Sequence, residues 1–277
     1  MSTTSTCQNE CPPVCQSVFD MVHVSYLIRG GTRRTGFDET DEAIFMTSGF
    51  VYEKAEDAEA AFKNEIDRFI YSRYGNPTVE MFQDRMSLLE GAEACRATAS
   101  GMAAVFASLA CSTDAGNRVV GSRALFGSCQ YILTEILPRF GIDVTIVDGP
   151  DLDQWGKALN QPTKAVFFET PSNPGLEIID MKTVCEIAHK AGAIVIVDNV
   201  FATPLLQNPL KFGADVVVYS TTKHIDGQGR TMGGAILARE KWINEIQDLT
   251  NSYCKSKKLA IDVINGPAVT ALNKTGI

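Results

Sequence analysis

An α/β fold with a mostly parallel sheet is predicted by three features of the sequence. From about Arg118 onward, short apolar runs rich in β-branched residues alternate with amphipathic stretches of helix length. The runs are apolar continuously instead of at every second residue, as in "AIVIVD" and "DVVVYS", which marks strands buried on both faces. The stretch from Met181 to Gly192 is long enough to carry the chain across from one strand to a parallel neighbour.

The elements follow in order. Residues 1–20, rich in Thr, Gln, Asn and Pro, read as a disordered leader. Asn76 followed by Pro77 starts a helix, in which Val79, Phe82, Met86 and Leu89 recur at the spacing of one buried face. "SGMAAVFASLAC" from Ser100 is apolar all round, so this helix is interior, and its Ser-Gly start leaves free N–H groups suited to a phosphate. Strands are expected at Arg118 to Gly121, Asp143 to Val147, Lys164 to Glu169, Ala193 to Asp198, Asp215 to Ser220 and Gly233 to Ala238. No internal repeat or long linker interrupts them.

Composition narrows the function classes. With 277 residues, 45% hydrophobic and 21% charged, the chain can bury a substantial core as one large or two small domains. Net charge is -8 and Lys and Arg are scattered, so the footprint of a nucleic-acid or anionic-membrane binder is missing and small-molecule chemistry is expected. Apolar stretches such as Gly192 to Val197 reach only strand length, and no basic segment leads into an apolar one near the start, so a cytoplasmic protein is expected. Eight cysteines, at 7, 11, 15, 95, 111, 129, 185 and 254, contain no Cys-x-x-Cys pair and read as free thiols. Cys7, Cys11 and Cys15, with only His23 nearby, lack paired ligand spacing, and no metal site is expected.

Two strand ends carry the chemistry. Ala193 to Val197 delivers Asp198 to a C-terminal strand end, the edge at which α/β sheets bind ligands. A carboxylate there needs either a cationic partner, such as a protonated pyridine nitrogen, or a capping role in the following turn "NVFATP". The next strand runs into Ser220, Thr221, Thr222, Lys223 and His224, placing hydroxyls that can hold phosphate beside an amine that can attack a carbonyl. Partial desolvation at a strand end favours the neutral, nucleophilic amine, whereas a polar loop would leave an ordinary solvated lysine. Four glycines in "DGQGRTMGG" favour a close backbone turn around something bound.

Five segments, "YSRYGNPT", "SGMAAV", "FFETPSNP", "DNVFATPLLQ" and "YSTTKHIDGQGR", together resemble the cystathionine γ-synthase and methionine γ-lyase family of pyridoxal phosphate enzymes, from about Tyr26 to Leu272. "LFGSC" and "EILPRFGI" look most like its O-succinylhomoserine sulfhydrylase branch. The resemblance implies the large domain of an aspartate aminotransferase-like, fold type I transferase over residues 76–265, and an arm over residues 21–75 that contacts a neighbouring subunit. It also implies pyridoxal 5'-phosphate carried as a Schiff base on Lys223, with Asp198 paired to the pyridine nitrogen. The phosphate would be received at Ser100, by the Gly101 and Met102 N–H groups and by the Ser220 and Thr222 hydroxyls, with Tyr71 and Arg73 reaching it from the neighbouring copy. Asn173 would bond the ring oxygen, or serve as a turn residue between two prolines. Phe126 stands where many relatives place a tyrosine; it can stack on the ring but cannot move a proton, which weakens a lyase assignment.

The implied reaction is γ-replacement, converting O-succinylhomoserine and sulfide to homocysteine in methionine biosynthesis, in a homodimer or homotetramer. Cystathionine γ-synthase and γ-lyase activities of the same family are alternatives. In the family a smaller C-terminal domain follows "NGPAVTAL", so residues 266–277 read as its truncated start, and a chain that binds cofactor but turns over poorly is a further expectation. Ser220-x-x-Lys223 with "KTG" at Lys274 to Gly276 also matches penicillin-recognising enzymes, but no Ser-Asp-Asn accompanies them and the pair follows a strand instead of opening a helix. "GQGRTMG" misses the dinucleotide fingerprint by one residue and no phosphate loop is present.

Overall fold

The computed structural model describes Ser25 and residues 28–246. Seven strands, β1 (Ala94–Thr98), β2 (Arg118–Ser122), β3 (Asp143–Val147), β4 (Ala165–Glu169), β5 (Ile194–Asp198), β6 (Val216–Ser220) and β7 (Gly234–Ala238), form one sheet in the spatial order β1-β7-β6-β5-β4-β2-β3. β2 through β6 pair in parallel, and β7 alone opposes its neighbours β1 and β6. The expected class is present, with one strand added and one reversed. β1, "ACRAT", holds an arginine that is 8% exposed because its guanidinium donates to the carbonyls of Arg73 (3.0 Å) and Tyr74 (3.4 Å).

Helices α1 (Ala55–Phe62), α2 (Pro77–Glu90), α3 (Gly101–Ser112), α4 (Gly127–Tyr131), α5 (Leu137–Arg139), α6 (Leu152–Ala158), α7 (Met181–Lys190) and α8 (Thr203–Leu206) connect and cover the strands, with a π turn at Ile132–Ile136 joining α4 to α5. On one face α2, α6 and α7 pack Met86, Leu89, Trp155, Met181 and Val184 against Phe168 and Val197. On the other, α3, α4 and α5 pack Ala104, Leu109, Cys129 and Leu137 against Phe167, Ile196 and Ile236. Phe167 and Phe168 are neighbours on β4 that point to opposite faces, both at 0% exposure, and each contributes about 1.5–3 kcal/mol relative to an exposed side chain. A continuous apolar run is what such a two-sided strand requires.

α2 begins as its sequence predicts: the Asn76 side chain accepts the Thr78 N–H at 2.9 Å, and its amide donates to the Phe45 carbonyl at 3.0 Å. Its inner face differs, since Met81 is buried with Met86 and Leu89 while Val79 and Phe82 are half-buried. Cys95, Cys111, Cys129 and Cys185 are free thiols. No helix among the described residues is long and apolar enough to cross a membrane. The leader, Cys7, Cys11, Cys15, His23, Cys254 and the segments "NGPAVTAL" and "KTG" lie outside the described residues.

Beneath the ends of β5 and β6 lies a buried polar network. Tyr219 donates to the Glu90 carboxyl, Asn199 donates to the Tyr219 hydroxyl at 2.6 Å, and Gln207 donates to Asn199 and to the Thr170 carbonyl, each at 2.8 Å. Glu90 is 0% exposed and its Oε1 has no hydrogen-bond partner in the structure. Burial pushes its carboxyl up to about 7, against the opposing pull of the Tyr219 hydroxyl. A raised carboxyl binds its proton more tightly folded than unfolded, so its contribution to stability falls as pH rises from about 4.5 to 7. Glu90→Gln, which never ionises, is therefore expected to gain up to about 3 kcal/mol on the wild type between pH 5 and pH 8, read by denaturant unfolding at both values.

Candidate active site

Glu169, Asp198 and Ser220 are the last residues of β4, β5 and β6, and the N-terminus of α3 abuts the same edge. The parallel register sets Glu169 directly beside Asp198. Asp198 is 6% exposed; its Oδ1 accepts the Val200 N–H at 3.1 Å, and the Cys129 thiol stands 4.0 Å from Oδ2. Burial first, and then the like charge of Glu169, pushes the Asp198 carboxyl up to about 7, with the Val200 N–H pulling the other way. Asp198 thus caps the turn that follows, and among the described residues no ion pair engages it.

The α3 N-terminus is pressed against β6. A Cβ added to Gly101 would stand 2.5 Å from the Ser220 Cβ and 2.9 Å from its Oγ, so only glycine admits this approach. Ser100 caps the helix by accepting the Ala103 N–H at 3.1 Å, leaving the Gly101 and Met102 N–H groups without a carbonyl one turn back. A Cβ on Gly234 would meet the Ser100 carbonyl at 2.3 Å, so β7 closes the cradle from the other side.

Lys223 follows three residues after Ser220 and its backbone N–H reaches the Ser220 carbonyl at 3.3 Å. Its side chain is exposed, not partly desolvated as the sequence reading expects, because the loop after Ser220 leaves the sheet at once. The glycine-rich turn is organised by the chain itself: Asp226 accepts the N–H groups of Gln228 at 3.2 Å and Arg230 at 2.7 Å and the Thr231 hydroxyl at 3.1 Å. The Thr222 hydroxyl is engaged with Gly233, accepting its N–H at 3.0 Å and donating to its carbonyl at 3.3 Å, and its O–H must turn from that carbonyl to serve a phosphate.

Phe126, 45% exposed, opens α4, and its N–H donates to Glu169 Oε2 at 2.9 Å. Asn173 is half-buried in the loop after β4, and its N–H also bonds Glu169. Tyr71 and Arg73 lie outside this cluster, on the segment leading into α2. There the Arg73 guanidinium stacks over the Tyr71 and Tyr74 rings, 5.5 and 5.0 Å from their centroids, and Tyr71 is 43% exposed. The fold therefore brings together Ser100, Gly101, Met102, Phe126, Asn173, Asp198, Ser220 and Thr222 around the ends of the strands, with Lys223 on the loop beside them, and leaves the exposed Tyr71 and the half-buried Arg73 apart from them. Glu169, absent from the sequence-derived set, belongs to the cluster; its position as the polar residue closing "AVFFE" is the signal that could have found it.

These residues fit a phosphorylated, cationic ring. The close Gly101 approach forms an anion cradle at a helix N-terminus, and Asp198 is a buried carboxyl in want of a positive partner. A family model described as Cys/Met metabolism PLP-dependent enzyme matches residues 25–261. An O-succinylhomoserine sulfhydrylase of Mycobacterium tuberculosis is 54% identical over 247 residues, covering 89% of this chain and 58% of that protein. The solved cystathionine gamma synthase of Xanthomonas oryzae pv. oryzae, in complex with aminoacrylate and cysteine, superposes with a TM-score of 0.80 at 29% identity, over 91% of this chain and 61% of that one. A Campylobacter jejuni structure carrying N'-pyridoxyl-lysine-5'-monophosphate superposes with a TM-score of 0.75 at 34% identity, over 80% of this chain and 55% of that one. The chain spans a little under three-fifths of the length of the curated relative it matches.

Proposed function

The chain belongs to the Cys/Met metabolism PLP-dependent enzyme family, and from that premise we propose that the whole protein exchanges the succinyl ester of O-succinylhomoserine for sulfide, yielding homocysteine. The observation that carries this reading is the 54% identity with an O-succinylhomoserine sulfhydrylase over 89% of the chain. The geometry of the strand ends supports it from the side of the cofactor.

When bound, pyridoxal phosphate supplies an electron sink for carbanions on the amino-acid substrate. The Gly101 and Met102 N–H groups and the Ser220 hydroxyl would receive the phosphate, where helix-end N–H dipoles and close approach favour an anion. The Thr222 hydroxyl joins them once its O–H lets go of the Gly233 carbonyl. Asp198 would pair with the ring nitrogen and keep it protonated; a cation at that point also relieves the burial of its own carboxylate. Phe126 would stack on the ring, and the Asn173 side chain would bond the ring oxygen. Lys223 would hold the cofactor covalently and afterwards carry protons at Cα and Cβ of the substrate, a task for which its exposed loop position leaves it room to swing.

Tyr71 and Arg73 would complete the phosphate grip of a neighbouring copy, so the protein is proposed to be at least a homodimer. The exposed Phe37 (93%) and Val51 (86%) fit the role of residues 21–75 as an arm laid on that copy. A cytoplasmic location accords with this chemistry.

Cystathionine γ-synthase and γ-lyase activities share the same site and are separated by product. Phe126 has no hydroxyl to move a proton, which favours replacement over elimination. With O-succinylhomoserine offered together with equal sulfide and cysteine, homocysteine is expected to exceed cystathionine by roughly tenfold or more, a difference of about 1.4 kcal/mol in barrier. Cystathionine as the main product would assign the synthase activity instead, and ammonia released without sulfide would assign the lyase.

A further inference from the structure

Glu169 has no part in the assignments above, yet it touches three of the residues they use. It closes β4 in register with Asp198, is 3% exposed, and accepts the backbone N–H groups of Phe126 (2.9 Å) and Asn173. Those donors arrive from two separate loops, one opening α4 and the other following β4. Phe126 is 45% exposed and its side chain caps nothing, so the bond from its N–H to Glu169 ties it to the strand end, while the buried Leu125 and Cys129 on either side anchor the start of α4 in the core. The titratable groups that face Glu169 are Asp198 from β5 and the Cys129 thiol from α4. Burial pushes this carboxyl above its ordinary value, and the two N–H bonds oppose that shift.

We propose that Glu169 is a positioning residue of the cofactor site: one carboxylate holds the stacking residue Phe126 and the ring-oxygen donor Asn173 at fixed separation, and sets a second negative charge beside Asp198. A carboxylate suits this because its two oxygens serve donors from two directions, while its charge adds to that of Asp198 in favouring a protonated ring system. An amide of the same length keeps one acceptor, turns an NH2 toward the other donor, and removes the charge. This inference rests on the pyridoxal phosphate reading of the site.

The test compares wild-type protein and Glu169→Gln, each titrated with pyridoxal phosphate, by cofactor affinity and by the pH at which the bound cofactor's visible band changes. Glu169→Gln is expected to bind about tenfold more weakly, as for loss of a charge-assisted hydrogen bond. Its band transition is expected to move to lower pH, because removing a nearby negative charge disfavours the protonated form. A role in folding alone would leave that transition in place. Wild-type affinity and an unmoved transition in the variant overturn the inference while the cofactor reading stands. Absence of the band from the wild type overturns both. If Glu169→Gln fails to fold, Glu169→Asp decides: it keeps the charge but draws it back by one methylene, so weaker binding supports the inference and wild-type binding overturns it.

Discussion

Lys223→Ala is expected to abolish covalent attachment of pyridoxal phosphate and to lower homocysteine formation by at least about 10³-fold, the scale of losing a nucleophile that also transfers protons. The lysine is exposed and three residues past the end of β6, so its removal empties no core space, and stability is expected to stay within about 0.5 kcal/mol of the wild type. The gap between those two effects is the informative quantity. A variant that lost activity only in proportion to a lost fold would place Lys223 among the structural residues. Activity is measured with saturating cofactor, so that weaker non-covalent binding does not masquerade as lost chemistry.

Asp198→Asn is expected to act in opposite directions on catalysis and on stability. Asparagine keeps an oxygen for the Val200 N–H but carries no charge to pair with a protonated ring, and breaking a buried pair of this kind costs about 3–5 kcal/mol, or about 10²- to 10⁴-fold in rate. In the cofactor-free chain the same change is stabilising at pH 8. The Asp198 carboxyl is raised from 3.8 to about 7 by burial and by Glu169, so the folded state holds a proton that the unfolded state has shed, and stability falls as pH climbs through that window. The asparagine variant avoids a penalty of roughly 4 kcal/mol at pH 8. Loss of rate together with a raised cofactor-free melting temperature is the signature of a carboxylate kept for its ligand. A carboxylate kept for the fold would show both quantities falling.

The parts of this protein that were legible in its sequence are those where one physical requirement determines residue type. Strands buried on both faces must be apolar throughout, and β2, β4, β5 and β6 read accordingly, whereas β3 lies at the sheet edge and is only half-buried over most of its length. A helix that starts with Asn-Pro or Ser-Gly announces its cap, and α2 and α3 begin where those pairs stand. β1 escaped because Arg96 breaks the apolar run; a guanidinium bonded to two backbone carbonyls is as well buried as a valine, but its partners are more than 20 residues away in the chain. The reversal of β7 escaped for a related reason, since a strand buried on both faces carries no mark of direction. Met81 joins Met86 and Leu89 as a buried residue of α2, while Phe82 packs against the same core only half-buried.

At the site, residue identities were legible and their environment was not. The resemblance brought Asp198, Ser220, Gly101 and Lys223 together, and the strand ends do gather them. The desolvated setting expected for Lys223 is absent, and Asp226 organises the glycine-rich turn, because loop conformation depends on bonds such as those from Gln228 and Arg230 that leave no periodic trace. Glu169 was overlooked since a single polar residue at a strand end looks like the boundary of the strand. Its importance comes from register, which places it beside Asp198, and from two loop N–H groups that only the folded chain brings to it.

The central claim is that Lys223 anchors pyridoxal phosphate at the ends of β5 and β6. Incubation of the 277-residue chain with pyridoxal phosphate, reduction with borohydride, digestion with trypsin and mass analysis tests it directly. The pyridoxyl group is expected on the peptide of residues 212–230, uncleaved at Lys223, in near-stoichiometric yield. A label spread over several lysines, or found on a peptide lacking Lys223, would contradict the account.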